Sequence, residues 1–294
     1  MRAFYFCHMK DFDARLRKLI DDALDEDVGK GDHSTLCCIP ADIKGKAVLK
    51  IKQEGILAGV EIAERIFKYK KPDCNFIRHK TDGEKMNPGE LAFEVETFVH
   101  CILELERLVL NCMQRMSGIA TLTGRYTKKL EGYKTKLLDT RKTTPNFRLL
   151  EKEAVRIGGG TNHRFGLFDM IMLKDNHIDY CGGIEEAINR AFDYVQRCHP
   201  GLKIEIEARS MADVETILTV GAGKVFRLML DNFTPQQLRQ ALQLIDGAFE
   251  TEASGGINLD NVEEYAATGV DYVSVGAVIH QAKSLDLSLK AVIV

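Results

Sequence analysis

The chain has 294 residues, enough for one large or two medium domains, each with its own core. Hydrophobic residues make up 45% and charged residues 28%, with six prolines and no tryptophan, which excludes low-complexity and proline-rich tracts. A net charge of −3 argues against a nucleic-acid binder with a broad basic surface, and no apolar run approaches the roughly 20 residues that span a bilayer.

In chain order, MRAFYFCHMK has an apolar run too short for a signal peptide and no small-residue cleavage site after it; Met9 competes with Met1 as the start. The eight cysteines show no CxxC pair and no zinc-like spacing, which predicts reduced thiols, several of them small core residues, in a cytoplasmic protein. DFDARLRKLIDDALDED has apolar residues at helical spacing. KGKAVLKIKQEGILAG alternates as strands do, broken at Gly55 and Gly59, VEIAERIFKYK reads as a helix, and NPGELAFEVETFV as a turn and a strand. CILELERLVLNCMQRM is apolar on nearly all sides, so a helix buried on nearly all sides is expected. Arg107 inside it needs a partner, and Glu104, three residues earlier, is the plain candidate.

From about residue 117 strands and helices alternate. The expected strands are 135–140, 169–174, 203–208, 224–230, 249–254 and 271–277, with helices in IEEAINRAFDYVQRC, MADVETILTVG, PQQLRQALQLID and NLDNVEEYAATG. Such alternation implies a parallel sheet, and polar residues recurring at strand ends favour an α/β barrel with its chemistry at the C-terminal ends.

Those ends carry Arg141 and Lys142, then Lys174, Asp231, Ser254-Gly255-Gly256 and Gly276, while Glu205 and Glu207 share one strand face. The segment RIGGGTNHRFGLFDMIMLKDNHI adds three glycines, His163 and Arg164. Between Lys134 and Lys174 there are nine Lys or Arg against four Asp or Glu, a local basic excess in an acidic chain. Taken singly, each residue has a bland explanation: a solvated charge, a carboxylate paired with a nearby Lys, or a turn glycine. Taken together they suit anions. Ser-Gly-Gly and the later glycine offer backbone N–H groups to a phosphate, with a following helix N-terminus adding its dipole. Glu207 and Asp231 are hard oxygen donors suited to Mg²⁺.

The ordered motifs LDEDVGKGDHST, ERLVLNCMQRMSGIAT, LLDTRKTTPNFR, the glycine segment, EIEAR, LMLDNF and EASGGINLDNVEEYAATGVDYVSVGAVIH resemble the quinolinate phosphoribosyltransferase family over nearly the whole chain. The resemblance implies an N-terminal α/β sandwich at 1–115, an incomplete, open α/β barrel at 116–278, and residues 279–294 returning to the first domain. It implies transfer of phosphoribosyl from phosphoribosyl pyrophosphate to quinolinate with decarboxylation, in NAD biosynthesis, with Mg²⁺ as cofactor. Arg107, Arg141, His163 and Arg164 would hold the quinolinate carboxylates. Lys142 and Lys174 would face the pyrophosphate and ribose. Glu207 and Asp231 would address the ribose hydroxyls and metal, directly or through water. Ser254, Gly255, Gly256 and Gly276 would cradle the 5′-phosphate, with Thr140, Val275 and Ala277 also contacting substrate. Of these, Lys142, Lys174, Glu207 and Asp231 would be the catalytic group, with no single general acid or base. A homodimer, or a higher assembly of dimers, would carry Arg107 across its interface, with no nucleic-acid or membrane partner. Two alternatives stand beside this reading: a nicotinate-type phosphoribosyltransferase, which lacks the decarboxylation, and a phosphate-binding barrel lyase or epimerase.

Overall fold

Helix α1 (Phe12–Asp27) turns Phe12, Leu16 and Ile20 into the core, the four-residue spacing that makes one helical face. The computed structural model describes residues 11–292, so Cys7 and the choice between Met1 and Met9 lie outside the described residues. Asp32 starts α2 (His33–Cys38), its carboxylate accepting from the N–H groups of Ser34 and Thr35. There follow β1 (Lys44–Ile51), β2 (Gly55–Ile56), α3 (Val60–Lys70), β3 (Asn75–Arg78), β4 (Lys85–Met86), β5 (Leu91–Phe98) and the long α4 (Val99–Lys129). The next elements are β6 (Lys136–Leu138), α5 (Arg148–Ile157), β7 (Ile171–Leu173), α6 (Asp175–Cys181), α7 (Ile184–Cys198), β8 (Ile204–Ala208) and α8 (Met211–Gly221). The chain continues through β9 (Arg227–Asp231), α9 (Pro235–Ile245), β10 (Glu250–Ser254), α10 (Val262–Ala266), β11 (Tyr272–Ser274), α11 (Ala277–His280) and β12 (Leu287–Val292).

These elements form two compact units. One runs to Gly124 and takes in Thr143–Gly159 and the chain from Ile279; the other holds Arg125–Lys142 and Gly160–Val278. The first unit is built on an antiparallel sheet of order β12-β1-β5-β3. The apolar face of α3 and the alternating inward residues of β5 bring Phe67, Phe76 and Phe93 together, with Phe76 and Phe93 stacked at 4.5 Å. A polar node ties α4 to α5. The fully buried Glu151 accepts two bonds from Arg115, at 3.0 and 2.8 Å, and two from the N–H and hydroxyl of Thr144. Arg115 also donates to the carbonyls of Ile279 and Ala282, so its fork is satisfied and the buried charge is compensated.

The second unit is a six-stranded parallel sheet of order β6-β11-β10-β9-β8-β7. Its edge strands β6 and β7 do not pair with each other, so the barrel is open, as the family resemblance implies. All six expected strands are present, shorter by one to four residues than their apolar patterns. Thr234 and Gln237 cap α9 reciprocally, with Pro235 at its first position. The helix expected over NLDNVEEYAATG is reduced to the five residues of α10. Asn258 and Asn261 account for the loss. Asn258 accepts from Asp260 N–H, Asn261 accepts from Asn258 N–H, and both amides reach the Gly256 carbonyl. Side chains that bond nearby backbone in this way compete with a helix. The helix dipole expected directly behind Ser-Gly-Gly is therefore absent there.

One further expectation needs correction, and it concerns α4, where Leu103, Arg107 and Asn111, four residues apart, form a stripe exposed in the single chain. Glu104 does not partner Arg107 but pairs with Lys70 at 3.1 Å. Of the seven described cysteines, Cys74, Cys101 and Cys112 are buried, as expected of small core residues, while Cys37, Cys38 and Cys198 are exposed, and all seven are free thiols.

Candidate active site

Strand alternation puts every second residue of the parallel sheet on one face, and registration across the strands stacks them in rows. The lowest row runs Met172, Glu205, Arg227, Glu250 across β7, β8, β9 and β10. The next runs Glu207, Met229, Glu252, Tyr272. The uppermost pairs Asp231 with Ser254 at the C-terminal ends. Lys174, just beyond β7, and Ser274, the last residue of β11, continue the same face by the period of two.

Above this face lies a cavity of about 330 Å³ lined by Thr140, Arg141, Lys142, His163, Arg164, Met172, Lys174, Met229, Glu252, Ser254 and Ser274. The backbone that delivers His163 and Arg164 runs beside β6: Thr161 N–H donates to the Leu137 carbonyl, its carbonyl accepts from Asp139 N–H, and it bridges Leu138. The buried Asp139 carboxylate then accepts from His163 N–H at 2.8 Å and from the Asn162 amide at 2.8 Å. Arg164 is braced by donating to the Met170 carbonyl at 3.0 Å. Burial lowers its pKa, and the charge of the neighbouring Arg141 lowers it further. Two guanidinium groups facing one small space repel unless an anion lies between them. Lys174 reaches Glu207 at 3.3 Å, and Lys142 N–H bonds the Thr140 hydroxyl. A second groove of about 720 Å³, lined by Ile171, Leu173, Tyr180, Tyr194 and their neighbours, is larger but almost wholly apolar. Arg190 is the one Lys, Arg, Asp or Glu on its lining, so the cationic cavity is the better candidate site.

His163 is itself part of a buried charged group. Its Nε2 lies 3.1 Å from Glu205 and 3.3 Å from Glu252, both fully buried. Arg227 approaches the same two carboxylates at 3.7 and 3.3 Å, pairs with Glu250 at 2.9 Å, and stacks on Tyr272. Burial pulls the His163 pKa down, but the two carboxylates outweigh it and raise it to about 9. Burial and the charge of Glu252 likewise push Glu205 up. On the other side of the ring, the backbone N–H of Arg164 donates to His163 Nδ1 at 2.6 Å.

Thr140, Arg141, Lys142, His163, Arg164, Lys174 and Ser254 thus come together as cavity lining. Glu207 joins them through Lys174, and Asp231 stands beside Ser254 in register. Gly255 and Gly256 follow Ser254 with φ of +96° and +66°, and Val275, Gly276 and Ala277 follow Ser274. Arg107 is outside the set, on the exposed stripe of α4. The glycine triplet is only partly a site feature. Gly158 and Gly159 end α5, and a Cβ on Gly158 would stand 2.5 Å from the Ala120 carbonyl oxygen. Sequence reasoning left out Glu252, Arg227, Ser274, Met172 and Met229, and the bland Lys partner of Glu205 is replaced by His163 and Arg227. Charges two residues apart in ETEAS and EIEA, and four apart in RLMLD, were the available signal.

Models of the quinolinate phosphoribosyl transferase N-terminal and C-terminal domains match residues 32–117 and 119–290. The chain is 41% identical to quinolinate phosphoribosyltransferase (decarboxylating) 1b of Nicotiana tabacum, over 94% of this chain and 82% of the relative. It is 40% identical to a probable nicotinate-nucleotide pyrophosphorylase (carboxylating) of Bacillus subtilis, over 94% and 93% respectively. The crystal structure of NadC from Streptococcus pyogenes superposes with a TM-score of 0.87 at 38% identity, covering 95% of this chain and 98% of that one. With both domains matched in order and the likeness extending through every strand that lines the cavity, the chain belongs to the quinolinate phosphoribosyltransferase family.

Proposed function

We propose that the chain transfers the phosphoribosyl group of phosphoribosyl pyrophosphate to quinolinate with loss of carbon dioxide, giving nicotinate mononucleotide and pyrophosphate in NAD biosynthesis. The observation that carries this reading is a small cavity with Arg141, Lys142, His163, Arg164 and Lys174 on its wall, above a strand face ending in Asp231 and Ser254. Arg141 and Arg164 grip the two ring carboxylates, since a planar guanidinium bonds both oxygens of a carboxylate. His163 lies beside that corner, and its ring receives the backbone N–H of Arg164. Met172 and Met229 give the pyridine ring apolar walls. Lys142 and Lys174 face the pyrophosphate. Ser254, Gly255, Gly256 and the Val275-Gly276-Ala277 turn hold the 5′-phosphate, with Thr140 beside them.

The ring nitrogen attacks the ribose C1′ as the bond from C1′ to pyrophosphate oxygen breaks, its electron pair leaving with the pyrophosphate. Fixed cations at the leaving group stabilise the charge that develops there. Once the nitrogen carries the ribosyl group it is positively charged. The adjacent carboxylate then departs as carbon dioxide, its electron pair stays on the ring carbon, and a proton replaces it. Glu207 and Asp231 are hard oxygen donors at the rim of this face and suit Mg²⁺, which when bound would neutralise pyrophosphate charge. Their other work is to hold ribose hydroxyls.

Arg107 belongs to the same reading through a homodimer. Leu103, Arg107 and Asn111 are exposed in the single chain, and Arg107 makes no ion pair among the described residues. A second subunit would cover the stripe and receive the arginine in its carboxylate corner. No described helix is long and apolar enough to cross a membrane, and the reading calls for none. The test is release of carbon dioxide and pyrophosphate from quinolinate plus phosphoribosyl pyrophosphate. Equal turnover of nicotinate, or no product from quinolinate, would overturn the assignment.

A further inference from the structure

We propose that Glu252, held by Arg227, is a positioning residue for quinolinate recognition, acting on Arg164 through the ring of His163. The inference rests on the reading that Arg164 binds a substrate carboxylate. The chain of contacts is continuous within the parallel-sheet unit. Arg227 stacks on Tyr272 and donates to Glu252 at 3.3 Å. Glu252 faces His163 Nε2 at 3.3 Å, and His163 Nδ1 receives the backbone N–H of Arg164 at 2.6 Å. Both ring nitrogens of His163 are thereby engaged by the protein. The ring acts as a spacer whose tilt fixes where the Arg164 backbone enters the cavity.

Stability does not account for the arrangement. Glu205 and Glu252 are fully buried and Arg227 is 8% exposed, in a sheet whose other face is aliphatic. Burying such charges costs several kcal/mol per ion, and well-packed apolar residues in their place are often neutral or stabilising. A resident metal does not account for it either. The donor atoms of His163, Glu205 and Glu252 lie within 4.8 Å of one another, but Arg227 already brings a guanidinium to both carboxylates. Local geometry supplies the remaining explanation. A guanidinium misplaced by about 1 Å loses much of its effect on a bound anion, and the buried bracket removes that freedom. Glu205, Asp139, Arg141 and Asp169 are further charges near His163 and Arg164, and Asp139 accepts from the His163 backbone N–H.

The experiment compares Glu252→Gln, Glu252→Asp and Arg227→Lys with the parent enzyme, each checked for folding by thermal melting. The readouts are KM for quinolinate, KM for phosphoribosyl pyrophosphate, and kcat. Glu252→Gln is expected to raise the quinolinate KM about tenfold or more while the other KM stays within about twofold. Glu252→Asp, which keeps the charge, recovers part of the loss, and Arg227→Lys shows a smaller increase in the same KM. If Glu252→Gln does not fold, the Asp and Lys variants decide by the same split. An unchanged quinolinate KM, or a matched rise in both KM values, overturns the proposal. Arg164→Ala separates the two levels of argument. If it leaves the quinolinate KM unchanged, the reading of Arg164 fails; if it raises it while the Glu252 and Arg227 variants do not, only this inference fails.

Discussion

Gly255→Ala should damage both stability and the handling of phosphoribosyl pyrophosphate. Gly255 has φ of +96°, where an L side chain is strained by about 1–2 kcal/mol. Its new Cβ would also stand 2.8 Å from Asn232 Cγ and 3.0 Å from the Asn232 backbone N. Asn232 cannot yield freely. Its own φ is +58°, its N–H donates to the Ser254 carbonyl at 2.8 Å, and its amide donates to Asp231 at 2.6 Å. Pushing it aside costs a hydrogen bond to a charged group, about 1.5–3 kcal/mol when buried and less here, because Asp231 is partly exposed. The sum is roughly 2–4 kcal/mol. Thermal melts should show a clear drop, and the KM for phosphoribosyl pyrophosphate should rise because Asp231 moves with Asn232. Combining Asn232→Gly with Gly255→Ala removes the side-chain clash and leaves the strain and the 3.0 Å backbone contact, so the double variant should lose less stability than the two single variants summed. Additive losses in the double variant, or a Gly255→Ala protein that melts and binds as the parent does, would refute the reasoning.

The other expected outcomes concern the charged groups. Arg141→Lys and Arg164→Lys each lose a bidentate contact and should weaken quinolinate binding by about 2–5 kcal/mol, read by calorimetry; unchanged affinity in both removes them from the carboxylate corner. Glu207→Gln and Asp231→Asn should cripple turnover and flatten its magnesium dependence, whereas normal rates across a magnesium titration would make both structural. Mixing inactive Arg107→Ala with inactive Arg164→Ala subunits should restore part of the activity, because one site of each heterodimer keeps both arginines. Verified subunit exchange without recovery would rule out a shared site.

The strands and most helices were legible in the sequence because apolar period decides them. KIEIEA alternates with period two, whereas PQQLRQALQLID places its apolar residues at helical spacing. The residues bordering the cavity were legible for a related reason: Arg141, Lys142, Lys174 and Asp231 stand where apolar patterns stop. Glu252 and Arg227 were hidden because they lie inside strands, and their meaning depends on which strand lies beside which. Registration of Glu205 with Arg227, and of Arg227 with Glu250, is a property of pairing between distant segments. The partner of Arg107 was not legible for the opposite reason. An apolar count around CILELERLVLNCMQRM does not say whether a subunit or solvent covers the last stripe. The shortened α10 shows local chemistry overriding a helical pattern, through two asparagines that bond the turn.

The stacked rows of β8, β9 and β10 also constrain how this chain can change length. Insertion or deletion of one residue within any of these strands would turn its charged set to the opposite face and bring aliphatic residues such as Ile206, Leu228 or Leu230 under the cavity. Length variation among functional sequences should therefore collect in the segments between strand and helix, and single-residue frameshifts of strand phase should be lethal to activity even when every residue type is kept. A scan of one-residue insertions through Ile204–Ala208 and through the turn at Gly221–Lys224 would expose that contrast directly.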